Sequence, residues 1–156
     1  MACFIMGISE SEPITILTNF CFMILLLLIV FGCNYQSKES SFSSLKNNKG
    51  IGPISKIVFD NEINQTLANS GKKLFNQLCT SCHMIKEESV GPAIKGILDR
   101  RSPEWIMNMI LNPTEMLQED PIAKKLLAEY NNEYMYNQNL IEDEAREIIE
   151  YFRTLD

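Results

Sequence analysis

Hydrophobic and polar positions divide the chain into three stretches. Phe20 to Gly32 is an unbroken apolar run of 13 residues, FCFMILLLLIVFG. A membrane span needs about 20 such residues, so the run suits the core of an export signal better. Residues 34–59 turn polar, with six serines, three asparagines and the turn-forming Gly50-Ile51-Gly52-Pro53. That composition describes a flexible linker, with Ile57-Val58-Phe59 as a short extended piece able to dock on the domain beyond it. From about Asn64 the pattern becomes helical. Leu67, Gly71, Leu74, Phe75 and Leu78 form one stripe of an amphipathic helix.

Gly91-Pro92 and Gly96 then break residues 84–100 into loop. Ser102-Pro103-Glu104 opens a helix, with serine as cap and proline in the first turn. Trp105, Ile106, Met109 and Ile110 share one face of it, and it stops before Asn112-Pro113. Asp120-Pro121 opens another, carrying Ala123, Leu126, Leu127 and Tyr130 on one side. Residues 131–139 read as a polar loop. A last helix starts at about Glu142, with acids in its first turn where the dipole favours them. Ala145, Ile148, Ile149 and Phe152 are its buried stripe. Ile141 offers no side-chain acceptor, so fraying is expected at that end. The fold class is therefore all-α: a small helical domain over residues 60–156, a linker over 33–59, and a signal or anchor over 1–32.

Charge narrows the partners. All 14 basic residues and 18 of the 20 acids lie after Cys33, which leaves a net −4 and excludes a nucleic-acid binder. The acids are also segregated. Residues 103–156 hold four bases and twelve acids, against six and five in residues 60–102. Such a dipole can orient encounters with a partner whose docking face is basic.

The chemistry is concentrated in one pentapeptide. His83, the only histidine, closes Cys79-Thr80-Ser81-Cys82-His83, a covalent haem-attachment signature. Two thiols three positions apart on a turn can add across the two vinyl groups of one porphyrin. The next residue's imidazole then comes under the iron. A thioredoxin-like pair needs no trailing histidine and expects a βαβ setting. Zinc would need two further ligands, and no other histidine or suitably placed cysteine exists. The implied cofactor is a single covalently bound haem c.

The end of the apolar run, Val30-Phe31-Gly32-Cys33, resembles a bacterial lipoprotein lipobox. The resemblance implies cleavage before Cys33 and lipidation of its thiol. Glu10 and Glu12 stand where a signal usually carries bases, and an uncleaved N-terminal anchor is the alternative. Cys3 and Cys21 leave with the leader, and Cys79 and Cys82 take haem, so no thiol remains for a disulfide.

With one histidine already used, the sixth iron position falls to methionine, to lysine, or stays open. Met84 adjoins the histidine, and Met107 and Met109 sit on a helix where core packing is the plainer role. Met116 and Met135 remain, the latter in the polar loop 52 positions after His83.

From about Ile63 to Leu155 the chain resembles class I cytochromes c. The matching features are Gly71 and Phe75, the haem motif, Gly91-Pro92, Trp105, the methionine loop and a closing helix with Tyr151. The resemblance implies a small helical domain wrapped around one haem, with Met135 as distal ligand and Pro92 offering its carbonyl to the proximal imidazole. It also implies Arg101 and Trp105 as donors to a haem propionate. Haem in this family is attached outside the cytoplasmic membrane, which implies a periplasmic or otherwise extracytoplasmic, membrane-anchored domain. A His/Met haem leaves no position for substrate, so the expected function is one-electron transfer between a quinol-oxidising complex and a terminal oxidase or reductase, with no catalytic residue. The alternatives are a five-coordinate haem that binds gases or acts as a weak peroxidase, and a fixed subunit of a larger respiratory complex.

Overall fold

The computed structural model describes Ile24 and residues 45–155. The expected export signal, the lipobox at Cys33 and the linker up to residue 44 lie outside the described residues, Ile24 aside. No helix among the described residues is long and apolar enough to cross a membrane.

Six helices of four residues or more follow in order, with no strand among the described residues. They are α1 (Gln65–Leu78), α2 (Ile97–Arg100), α3 (Pro103–Leu111), α4 (Pro113–Glu119), α5 (Pro121–Glu129) and α6 (Glu142–Arg153). Local chemistry sets their starts. The Asn64 side chain accepts from the backbone N–H groups of Thr66 and Leu67, and Ser102 accepts from that of Trp105. Asp120 accepts from those of Ile122 and Ala123. A cap of this kind is worth about 1 kcal/mol. Proline holds the first position of α3, α4 and α5, where its missing N–H costs nothing.

Two expectations change here. Asn112-Pro113 ends one helix and also begins the next: α4 follows α3 at once, burying Met116 and Leu117. The end of α6 expected to fray has a substitute cap. Ile141 has no side-chain acceptor, but its own N–H donates to the Glu144 carboxylate at 3.0 Å.

The frame is the crossing of α1 and α6. A Cβ at Gly71 would collide with the carbonyl oxygen of Glu147, so only glycine lets the two backbones meet. Next to the crossing, Phe75 packs against Tyr151 and Phe152, both ring centroids 5.7 Å away.

The linker expected to run to Phe59 ends earlier. Residues 48–59 lie against the helices as a strap, and Ile54 is buried. The fully buried Asn108 carboxamide donates to the carbonyls of Lys49 and Ile54 and accepts from the Ile54 N–H, each at 2.9 Å. Ser102 donates to the Asn48 carbonyl, and the Ile57 N–H donates to Glu104. Further along, the guanidinium groups of Arg146 and Arg153 lie over the Phe59 ring, 4.6 and 4.7 Å from its centroid. Both arginines pair with the buried carboxylate of Glu150. The strap's polar composition looked like linker because its backbone makes most of these bonds.

Candidate functional site

Between the helices lies a cavity of about 460 Å³, far larger than any void that close packing leaves. Its walls are mostly apolar, contributed by α1, α3, α5 and α6, and Cys79, Cys82, His83 and Met135 all line it.

The histidine segment, residues 79–95, begins where α1 ends. The N–H of Cys79 still bonds to Phe75, and those of Cys82 and His83 turn back to the Cys79 carbonyl. That turn brings both thiols and the imidazole to one side of the cavity. Burial, with Cys82 beside it, pushes the unattached Cys79 thiol up to about 11. Beyond the motif the loop is zipped onto itself. Gly91 N–H donates to Cys82, Ile94 to Met84 and Lys95 to Ile85, at 2.8–3.1 Å. The Arg100 guanidinium adds donations to the carbonyls of Ala93 and Lys95.

This zipper controls the imidazole. His83 Nδ1 lies 2.9 Å from the Pro92 carbonyl. A carbonyl can only accept, so Nδ1 is the donor, and Nε2 is the ring nitrogen left to face a metal. An imidazole with one nitrogen held in this way has its other nitrogen aimed as a metal ligand. Gly91 presses on the same ring, since a Cβ there would stand 2.5 Å from His83 Cε1. The cavity, the paired thiols and the oriented imidazole fit a covalently attached tetrapyrrole. Among the described residues no cluster of three or more histidine, cysteine or carboxylate side chains offers an alternative metal site.

The methionine segment, residues 130–141, is built differently. Among the described residues no hydrogen bond between backbone groups involves residues 134–140. Asn131, Asn132 and Asn139 have positive φ of 56–59°, a region asparagine enters more readily than other non-glycine residues. Side-chain bonds shape the rest: Asn139 N–H donates to Asn137, and Asn137 to the Leu111 carbonyl. Met135 is half-buried against the core on the cavity wall. Tyr130 also lines the cavity. Burial, then the nearby Glu88 carboxylate, pushes its hydroxyl above the ordinary value. That contact ties the two segments together.

Met116 is placed elsewhere. It is a fully buried residue of α4, with its Sδ 2.9 Å from the Ile51 N–H, and it does not line the cavity. No lysine lines the cavity either.

Trp105 and Arg101, the two expected propionate donors, both line the cavity. The Trp105 indole N–H donates to Asp120 at 3.1 Å. The same aspartate caps α5. Arg101 lies 5.4 Å from the Trp105 ring centroid and donates to the Arg100 carbonyl. Partial burial, followed by the adjacent Arg100 charge, lowers its pKa. Arg100, not singled out in the sequence, is the residue that braces the histidine loop.

Residues 68–156 match the family model described as Cytochrome c. Among solved structures the chain is similar to cytochrome c from Rhodothermus marinus, with 40% identity and a TM-score of 0.65, covering 67% of this chain and 89% of that one. An engineered form of the Rhodothermus protein bound to a carbene intermediate is likewise 40% identical, with a TM-score of 0.62 and coverage of 67% and 89%. The cytochrome c domain of the pp3183 protein from Pseudomonas putida is 29% identical, with a TM-score of 0.50, covering 54% of this chain and 85% of that domain. Nothing among curated proteins matches.

Proposed function

We propose a specific task for this chain, which belongs to the cytochrome c family: it is a membrane-tethered, single-haem carrier that passes one electron at a time between a quinol-oxidising complex and a terminal oxidase or reductase. Electron transfer is the work of the family, and its domains typically stand outside the cytoplasm. The finer reading rests on one observation above the others: the His83 imidazole and the Met135 thioether line the same cavity. When haem c is bound between such ligands, its iron alternates between ferric and ferrous with no coordination position left for substrate. The chain's own residues do the remaining work. Cys79 and Cys82 hold the ring covalently, and Pro92 fixes the imidazole that His83 presents. Met135 supplies a soft, neutral sulfur that favours the reduced state. Phe75, Ile106, Ile148 and other apolar walls keep water from the site.

The tether is proposed on the apolar run that ends at Cys33. Changing Cys33→Ser should abolish fatty-acid labelling and leave the leader uncleaved; labelling that survives overturns the lipoprotein. The partner is proposed to present lysine or arginine to the acidic C-terminal half. Reversing the exposed Glu142 and Asp143 to lysine should slow electron transfer at low salt and matter little at high salt.

The decisive experiment concerns ligation. The oxidised protein should show the weak red absorption band of sulfur bound to ferric haem, and Met135→Ala should remove it. The same change should lower the reduction potential and let carbon monoxide bind the ferrous haem at once. Met116→Ala should do none of these things. Rapid carbon monoxide binding by the unaltered protein would replace the carrier with a gas-binding or peroxidatic haem.

A further inference from the structure

Every residue of α3 from Glu104 to Ile110 is buried, so this helix needs cover on more than one side. One side carries Trp105, Ile106, Met109 and Ile110, which line the haem cavity. Another carries Glu104 and Asn108, four positions apart, and both are taken by the strap. We infer that residues 48–59 are a positioning element for the haem: by holding α3 from its outer side, they set how tightly its inner side closes on the ring.

The attachment is specific. Asn108 commits both ends of its carboxamide to the strap, through two donations and one acceptance. Asn48 donates to Asp120, whose other oxygen receives the indole N–H of Trp105. One carboxylate thus joins the strap to a cavity-wall side chain. The Ile51 N–H meets Met116 Sδ, which gives that methionine a role in holding the strap. Two glycines permit the close approach. Gly50 has φ +74°, and a Cβ there would stand 2.7 Å from Met116 Sδ and 3.2 Å from Trp105 Cδ1. Gly52 has φ +154°, and a Cβ there would stand 2.5 Å from Asn108 Oδ1.

The consequence is physical. A helix that loses cover on one side can shift or breathe, and the side facing the haem moves with it. Water then gains access to the site, and a wetter haem favours the ferric state. Asn48, Gly50, Gly52 and Asn108 touch none of the reacting atoms and act through Trp105 and its neighbours.

The test uses the full-length, haem-loaded protein and rests on the methionine ligation proposed above. Gly52→Val should release the strap, read as trypsin cleavage at Lys49 or Lys56 under conditions where the unaltered protein is resistant. It should also lower the reduction potential, weaken the red band and speed carbon monoxide binding at least tenfold. Lys56→Ala should change none of the haem readouts. If Gly52→Val does not load haem, Asn108→Ala decides on the same measurements, since it removes three bonds and adds no bulk. A released strap with an unaltered potential and carbon monoxide rate overturns the inference. So does a strap that stays uncleaved in both variants, because the Asn108 clamp then does not hold it. If the unaltered protein lacks the red band and binds carbon monoxide at once, methionine ligation fails instead; the shift in potential between variant and unaltered protein still decides the strap.

Discussion

The two segments that bring His83 and Met135 to the cavity are fastened by opposite means. The histidine segment is zipped by backbone bonds from Cys82 to Lys95, braced by Arg100, and has a glycine pressed against its imidazole. The methionine segment has no such ladder over residues 134–140 and relies on three asparagines with positive φ and a few side-chain bonds. A segment with few backbone bonds opens at lower free energy than one held by many. The difference teaches which side of the cavity is the fixed point and which the adjustable one. His83 has essentially one orientation available, whereas Met135 is held by a loop that can give way first.

The largest expected effect breaks the stiff side. Gly91→Ala places a methyl group 2.5 Å from His83 Cε1, against a ring that Pro92 does not let move. Overpacking of this kind costs roughly 1–3 kcal/mol, and the yield of haem-loaded protein should fall with it. Thermal melts and a haem assay check this, and an unchanged melt would mean that the imidazole is not packed in place. The next effect probes the soft side. Asn139 has φ 56°, so Asn139→Ala should cost about 1 kcal/mol while Asn139→Gly costs less or nothing. If chemical denaturation finds the two variants alike, the loop is not held by its backbone preference.

The smallest effect concerns the contact between the segments. Tyr130→Phe removes the hydroxyl that faces Glu88, an interaction that solvent screens to roughly 0.5 kcal/mol. The raised Tyr130 pKa means that the folded state keeps this proton longer than the unfolded chain does. Its contribution is therefore full below the ordinary value of 10.0 and is lost as pH rises through the folded-state value. In Tyr130→Phe the decline of stability above about pH 10 should be shallower, as denaturation at several alkaline pH values would show.

The same contrast explains what the sequence made legible. The histidine side is encoded locally, because a motif of five residues and a Gly-Pro nearby carry its geometry. Helix starts were readable wherever a cap preceded a proline, as at Ser102-Pro103 and Asp120-Pro121. The methionine was harder: Met116 and Met135 both stood outside the apolar stripes, and only the Met116–Ile51 contact shows that the former is occupied elsewhere. Three features depended on distant partners. Trp105 gave no sign that its N–H belonged to Asp120, 15 positions on. α4 was hidden by a proline that both ends one helix and starts another. The strap was hidden by composition, although Glu104 and Asn108 on an otherwise apolar helix were a usable sign, since buried polar groups need partners.

The strap also fixes a length. Were the chain free from Cys33 to Phe59, its contour could extend over about 90 Å at the usual rise per extended residue. With Asn48 already fastened to Asp120 and Ser102, the segment from Cys33 cannot exceed roughly 50 Å. For a domain leashed at Cys33, that shortening of the radius by nearly half cuts the volume it can sweep several-fold. If Cys33 is the anchor proposed above, a redox partner beyond that radius would be out of reach.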